Sequence, residues 1–275
     1  ALALYEQVGA KLGKANTLRA IGDVLQFLKR CEEALERYDT ALALYEQVGA
    51  KLGKANTLQA IGDVLQFLDR REEALERYDT ALALYEQVGD NLGKANTLRA
   101  IGDVLQFLNR REEALERYDT ALALYEQVGA KLGKANTLKA IGRMQQTLMQ
   151  FEEALVNCQQ ALNIYQEIGD RWSEAMALQQ LATLYNQIGR VREGYTTAYQ
   201  ANSILQQLEI PLASMPYPNW MKQIIQFASR GKWQLALFIV VGVLALPFAL
   251  LTIGAIFLWR MTFGRLLANQ HLLRK

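Results

Sequence analysis

The stretch that decides the fold is Lys11-Leu-Gly-Lys-Ala-Asn-Thr-Leu-Arg-Ala-Ile-Gly-Asp-Val-Leu-Gln-Phe-Leu28, followed by Cys31-Glu-Glu-Ala-Leu-Glu-Arg-Tyr-Asp-Thr-Ala-Leu-Ala-Leu-Tyr-Glu-Gln-Val48. In the first segment Leu12, Ala15, Leu18, Ile21, Leu25 and Leu28 fall three or four residues apart, which makes one apolar stripe on a helix. In the second, Ala34, Leu35, Tyr38, Ala41, Leu42, Tyr45 and Val48 do the same. Gly49 follows as a left-handed C-cap. The unit is therefore a pair of helices, and no alternating β-branched run interrupts residues 1–210.

The pair returns with a period of 40 residues. Residues 1–40 and 41–80 differ only at Arg19/Gln59, Lys29/Asp69 and Cys31/Arg71. The copy 81–120 is nearly as close, 121–160 drifts after Ile141, and 161–200 keeps the pattern more than the letters. One hairpin cannot bury its own stripe, so neighbouring copies must stack into a continuous core. Gly22 recurs as Gly62, Gly102 and Gly142. Glycine inside a helix costs about 1 kcal/mol relative to alanine, so its return predicts a close helix crossing, with Ala34 and Ala41 on the partner surface. Asp69 three residues before Glu72, and Asn109 before Glu112, read as capping boxes opening the second helix of their hairpins.

Leu18-x-x-Ile21-Gly22-x-x-Leu25 with Ala34, Tyr38 and Ala41 resembles the tetratricopeptide repeat. The longer period resembles the variant found in kinesin light chains. The fifth copy keeps Leu178, Leu181, Tyr185 and Ala201 but departs at Ala182, Gly194 and Ala198, and the usual proline after the second helix is missing from every copy. The resemblance implies an all-α, right-handed superhelix whose concave groove is lined mainly by the first helix of each pair. It divides 1–208 into a half-repeat at 1–10 and hairpins at about 12–48, 52–88, 92–128, 132–168 and 172–208. The chain opens within the repeat motif, so residue 1 reads as lying inside a repeat of a longer array.

The same resemblance places Asn16, Arg19, Asp23 and Gln26 in the groove, with Asn56, Gln59, Asp63 and Gln66, then Asn96, Arg99, Asp103 and Gln106, and Lys139 in the fourth copy. Such positions contact a protein or peptide partner in the family. The residues themselves also read as a solvated ladder, with Arg19 and Arg99 one turn before Asp23 and Asp103. Nothing favours catalysis. Glu32, Glu33, Glu36 and Asp39 recur in successive copies, as an exposed charged face does and a single active site does not. No phosphate-cradling loop is present, His271 is the only histidine, and Cys31 and Cys158 lack metal-ligand spacing, so neither cofactor nor metal is expected.

Beyond residue 208 the composition changes. The segment 211–275 has seven basic residues and no acidic one, so the overall charge of +2 leaves −5 on residues 1–210. Pro211, Pro216 and Pro218 mark a linker at 209–217. Residues 218–230 place Trp220, Met221, Ile224, Ile225 and Ala228 on one face, for a helix that either lies in a membrane interface or caps the last repeat. Leu235–Trp259 runs 25 residues without a charge, enough to span a bilayer, and is kinked at Pro247. Trp220 and Lys222 with Arg230, Lys232 and Trp233 before the span, and Trp259 and Arg260 after it, suit the two interfaces. The expectation is one transmembrane helix at 233–259, a basic tail at 260–275 against lipid, and the repeats on the cytoplasmic side. The basic residues flank an apolar run and form no stripe on a folded face, which argues against nucleic acid. Two further readings stay open: self-association through the near-identical repeats, and a sensor arm on an enzyme domain preceding residue 1.

Overall fold

A computed structural model describes residue 5 and residues 9–208. The linker, the 218–230 helix, the span at 233–259 and the basic tail expected from the sequence lie outside the described residues, and so do Trp220, Lys222, Arg230, Lys232, Trp233, Trp259 and Arg260. Among the described residues no helix is long and apolar enough to cross a membrane.

Ten helices and no strand occur among the described residues. They are α1 (Lys11–Phe27), α2 (Cys31–Gln47), α3 (Lys51–Phe67), α4 (Arg71–Val88), α5 (Asn91–Phe107), α6 (Arg111–Gln127), α7 (Lys131–Thr147), α8 (Phe151–Ile168), α9 (Arg171–Gln187) and α10 (Val191–Gln207). Odd-numbered helices are the first of each pair (A) and even-numbered ones the second (B). Each A helix packs on its own B helix, and each B helix on the next A helix. Successive A helices also touch one another, whereas successive B helices do not. The array therefore bends toward its A side, which makes the A helices the inner face.

One continuous core runs through the first four hairpins, from Leu25 and Tyr38 past Ile61, Tyr78, Ile101 and Tyr118 to Met144. The glycines lie at its crossings. A Cβ on Gly22 would stand 2.4 Å from the Tyr38 ring, and one on Gly62 would stand 2.4 Å from Tyr78. No real Cβ sits so close, so glycine is what lets the buried aromatic lie flat on the A helix. The same device joins neighbouring hairpins, where a Cβ on Gly53 would meet the Tyr45 ring at 2.4 Å.

The turns correct one reading of the sequence. Asp69 and Asn109 do not open helices. They take positive φ values of 65° and 62°, as Lys29 and Met149 do at 59° and 60°, and so close the A helix in the left-handed region. The N-caps are Arg70 and Arg110, without a side-chain cap bond, and the Asp69 carboxylate pairs instead with Arg71. Aspartate and asparagine suit this position because they tolerate the left-handed conformation better than most residues. Side-chain caps occur elsewhere: Asp90 accepts from the Gly93 amide at 2.9 Å and Asp170 from the Ser173 amide at 3.0 Å.

Candidate functional site

The inner face is built from the core outward. Tyr38 on α2 is fully buried, and its ring lies over Gly22 of α1. That placement carries its hydroxyl through the hairpin to the polar side of α1, where it donates to Asp23 Oδ1 at 2.9 Å and to Gln26 Oε1 at 3.0 Å. Tyr78 does the same to Asp63 and Gln66 at 2.6 and 3.2 Å, and Tyr118 to Asp103 and Gln106 at 2.7 and 3.4 Å. A second row interleaves with the first. Tyr45, Tyr85 and Tyr125 donate to Asn16, Asn56 and Asn96, each at 2.7 Å, and Tyr165 reaches Asn136 at 2.7 Å. A buried phenol must find an acceptor, and these A-helix side chains supply it.

Most of the residues expected in the groove thus do two jobs. They line the inner face, and they anchor the tyrosine hydroxyls of the B helices. Sequence reasoning placed the tyrosines in the core but missed the connection. The signal was present: tyrosine, where phenylalanine would fill the same volume, asks for a polar partner.

The position of Arg19 behaves differently from copy to copy. Arg19 pairs with Asp23 at 3.1 Å and Arg99 with Asp103 at 2.7 Å, as the ladder reading expects. Gln59 instead accepts from Tyr85 at 2.9 Å. The Lys139 ammonium lies 5.5 Å from the centre of the Tyr165 ring, and burial, then the neighbouring Arg143, pull its pKa below the usual lysine value. Burial pushes the Asp63 carboxyl above the usual range; the Tyr78 hydrogen bond and then Arg99 oppose it. Burial likewise raises the Tyr38, Tyr78 and Tyr118 phenols, which stay protonated donors.

Three recesses along the A helices collect the expected residues. One of about 570 Å³ brings Asn16, Arg19 and Asn56 together. One of about 440 Å³ brings together Asp23, Gln26 and Asp63, and one of about 610 Å³ Gln66, Asp103 and Gln106. Gln59, Asn96, Arg99 and Lys139 are not among the residues lining these three. Phe27, Phe67 and Phe107, which the apolar stripe did not include, are 84, 61 and 68 % exposed at the ends of their A helices. Lys29 lies 5.4 Å over the Phe67 ring and Arg71 lies 5.0 Å over Phe107. Of the two cysteines, Cys31 lines the 440 Å³ recess and Cys158 lines none of the three. Both are free and buried, and burial pushes the Cys158 thiol up to about 12. Among the described residues no cluster of His, Cys, Asp and Glu could hold a metal ion.

Residues 1–47 and 53–127 match a family model described as tetratricopeptide repeat. No curated protein matches the chain by sequence. Among solved structures, BtubC from P. vanneervenii aligns with a TM-score of 0.67 at 17% identity, over 78% of this chain and 87% of that one. A putative kinesin light chain of nearly identical repeats from Podosopora anserina aligns at 0.59 and 13% identity, over 72% and 97% of the two chains. A Rap protein complexed with competence and sporulation factor aligns at 0.59 and 18% identity, over 71% and 55%. At these identities the likeness is one of fold.

Proposed function

Starting from tetratricopeptide-type repeats with a polar inner face, we propose that this protein is a membrane-tethered adaptor, which holds a peptide or helix of a partner protein along its A helices. The observation that carries the reading is the set of three recesses along the A helices, lined between them by copied amide, carboxylate and guanidinium groups, two of the recesses also holding exposed phenylalanines. Amides and charged groups offer donors and acceptors to a main chain, and a phenylalanine rim offers apolar contact; together these suit a peptide better than a small metabolite. A repeat fold of the same kind is complexed with competence and sporulation factor in the Rap protein. The uncharged run Leu235–Trp259, flanked by Arg230, Lys232 and Arg260, supports the tether. The copied inner-face groups offer hydrogen bonds and charge to a ligand, which supports a binding role.

Photo-crosslinking in cells tests the proposal. A crosslinkable residue at Gln26, Gln66 or Gln106, on the inner face, should capture a discrete protein partner. The same residue at Glu36, Glu76 or Glu116, on the B helices, should not. Equal capture from both sets would refute the groove. Membrane flotation of the full chain, compared with a variant carrying Leu244→Arg and Leu250→Arg, tests the tether; unchanged flotation would refute it.

A further inference from the structure

Two of the recesses are the same cleft, met twice. The 440 Å³ cleft contains Asp23, Gln26, Phe27, Cys31, Asp63 and Phe67. Eighty residues on, the 610 Å³ cleft contains Asp103, Gln106, Phe107, Arg111, Arg143 and Thr147 at the corresponding places. Four substitutions separate them: Lys29 becomes Asn109, Cys31 becomes Arg111, Asp63 becomes Arg143 and Phe67 becomes Thr147. Together they reverse the charge. The first cleft has two carboxylates and Lys29, whereas the later one has one carboxylate and two guanidiniums.

The arginines of the later cleft lack the partners their copies have. Arg71, one repeat earlier than Arg111, pairs with Asp69 and covers the Phe107 ring. Arg111 has Asn109 and Thr147 at those places, and makes no side-chain hydrogen bond, ion pair or ring contact with a described residue. Arg143 stands where Asp103 would recur, and its side chain also has no such partner among the described residues. Asp103, the one carboxylate present, is already engaged by Arg99 at 2.7 Å and by the Tyr118 hydroxyl at 2.7 Å. Two guanidiniums therefore face one recess with no counter-charge left for them. Guanidinium forks fit carboxylates, often through paired hydrogen bonds.

We infer that the bound segment is charge-polarised: an acidic side chain seats at Arg111 and Arg143, and a basic one seats two repeats away beside Asp23 and Asp63, chiefly at Asp63, which has Gln59 in place of the arginine that pairs with Asp23. The inference rests on the groove reading and adds to it the chemistry and the direction of the occupant. Copied repeats with one charge pattern would let a segment slip by a repeat, since each station would look the same. Opposite charges at the two ends favour one register and one direction, because reversing the segment, or slipping its acidic end back one repeat onto Asp63 and Asp103, places like charges together.

The test is selection of a phage-displayed library of random twelve- to twenty-residue peptides on the full chain, followed by affinity measurement of recovered peptides. Recovered sequences should carry acidic residues toward one end and basic residues toward the other. Arg111→Glu with Arg143→Asp should weaken them at least tenfold, while Glu36→Lys with Glu116→Lys on the B helices should not. Asp23→Asn with Asp63→Asn, which keeps acceptors for Tyr38 and Tyr78, should relax the basic preference alone. Thermal melts of each variant separate lost binding from lost fold, and Arg111→Gln with Arg143→Gln replaces any variant that unfolds. Peptides without a charge bias, or with affinity unchanged in the arginine variant, would overturn the inference and leave the groove standing. No saturable peptide at all would overturn both.

Discussion

The Tyr45 hydroxyl on α2 donates to Asn16 Oδ1 on α1 at 2.7 Å, across 29 residues of chain. The tyrosine is 1 % exposed and the asparagine stands on the inner face. The bond ties the core of a hairpin to the surface proposed to meet a partner, and in the first four hairpins it recurs with the same geometry. Tyr45→Phe should cost about 1 kcal/mol, the usual net worth of such a bond. Asn16→Ala should cost a similar amount, and the double variant less than the sum. Urea unfolding of the four proteins gives the coupling energy directly. Additive costs would mean that water serves the hydroxyl as well as Asn16 does.

Gly102 makes the corresponding test of packing. A Cβ there would stand 2.6 Å from the Tyr118 ring. Alanine is the better helix former by about 1 kcal/mol, so an unstrained site would gain stability from the exchange. Overpacking typically costs about 1–3 kcal/mol and should win here. Gly102→Ala should therefore lower the melting temperature. Adding Tyr118→Ala, the combination that the fifth hairpin carries as Ala182 and Ala198, should remove the clash but leave a cavity.

The hairpins were legible because the 3.6-residue period and the 40-residue copy point to one structure. Gly22 was legible as a crossing because small residues have few other reasons to recur inside helices, but what it meets is the Tyr38 ring and not Ala34 and Ala41. Asn16, Asp23 and Gln26 were legible as an inner polar row, but their bonds to Tyr45 and Tyr38 were not. Periodicity assigns a residue to a face without saying how far a ring from the opposite helix reaches. Asp69 and Asn109 misled for a related reason. The capping-box pattern fits them by spacing, while the backbone uses them one residue earlier, at positive φ. The contrast between Arg111 and Arg71 needed the structure too, because it lies in which ring and which carboxylate each arginine meets.

Asp63 should make stability depend on pH in an identifiable direction. Burial raises its pKa in the folded state above the ordinary value of about 3.9. The fold thus favours the protonated acid. That contribution is fully present below about 3.9 and is lost as pH rises through the folded value. Asp63→Asn keeps an acceptor for Tyr78 and does not ionise. The variant should gain on the natural protein between pH 4 and pH 7, as measured by urea unfolding at each pH. A gain in the opposite direction would mean that the bond from Tyr78 and the field of Arg99 outweigh burial.

The fourth hairpin shows that these residues change as a set, and this yields the last prediction. Where Tyr118 becomes Cys158, the acceptor Asp103 becomes Arg143 and Val104 becomes Met144, which is 1 % exposed. In the fifth hairpin, where Tyr45 is replaced by Leu205, Asn16 is replaced by Met176. The hydroxyl leaves together with its carboxylate or asparagine acceptor, and a larger aliphatic side chain accompanies the loss of the ring. Cys158→Tyr alone should then destabilise by about 1–3 kcal/mol, since the ring meets Met144 and its hydroxyl loses the carboxylate acceptor to a guanidinium, which cannot accept, with only Gln146 left at the place of Gln106. Combining it with Met144→Val and Arg143→Asp rebuilds the third hairpin's arrangement over Gly142, and should recover most of the loss. Thermal melts of the single and triple variants decide it. A single variant as stable as the triple would show that the three positions vary independently.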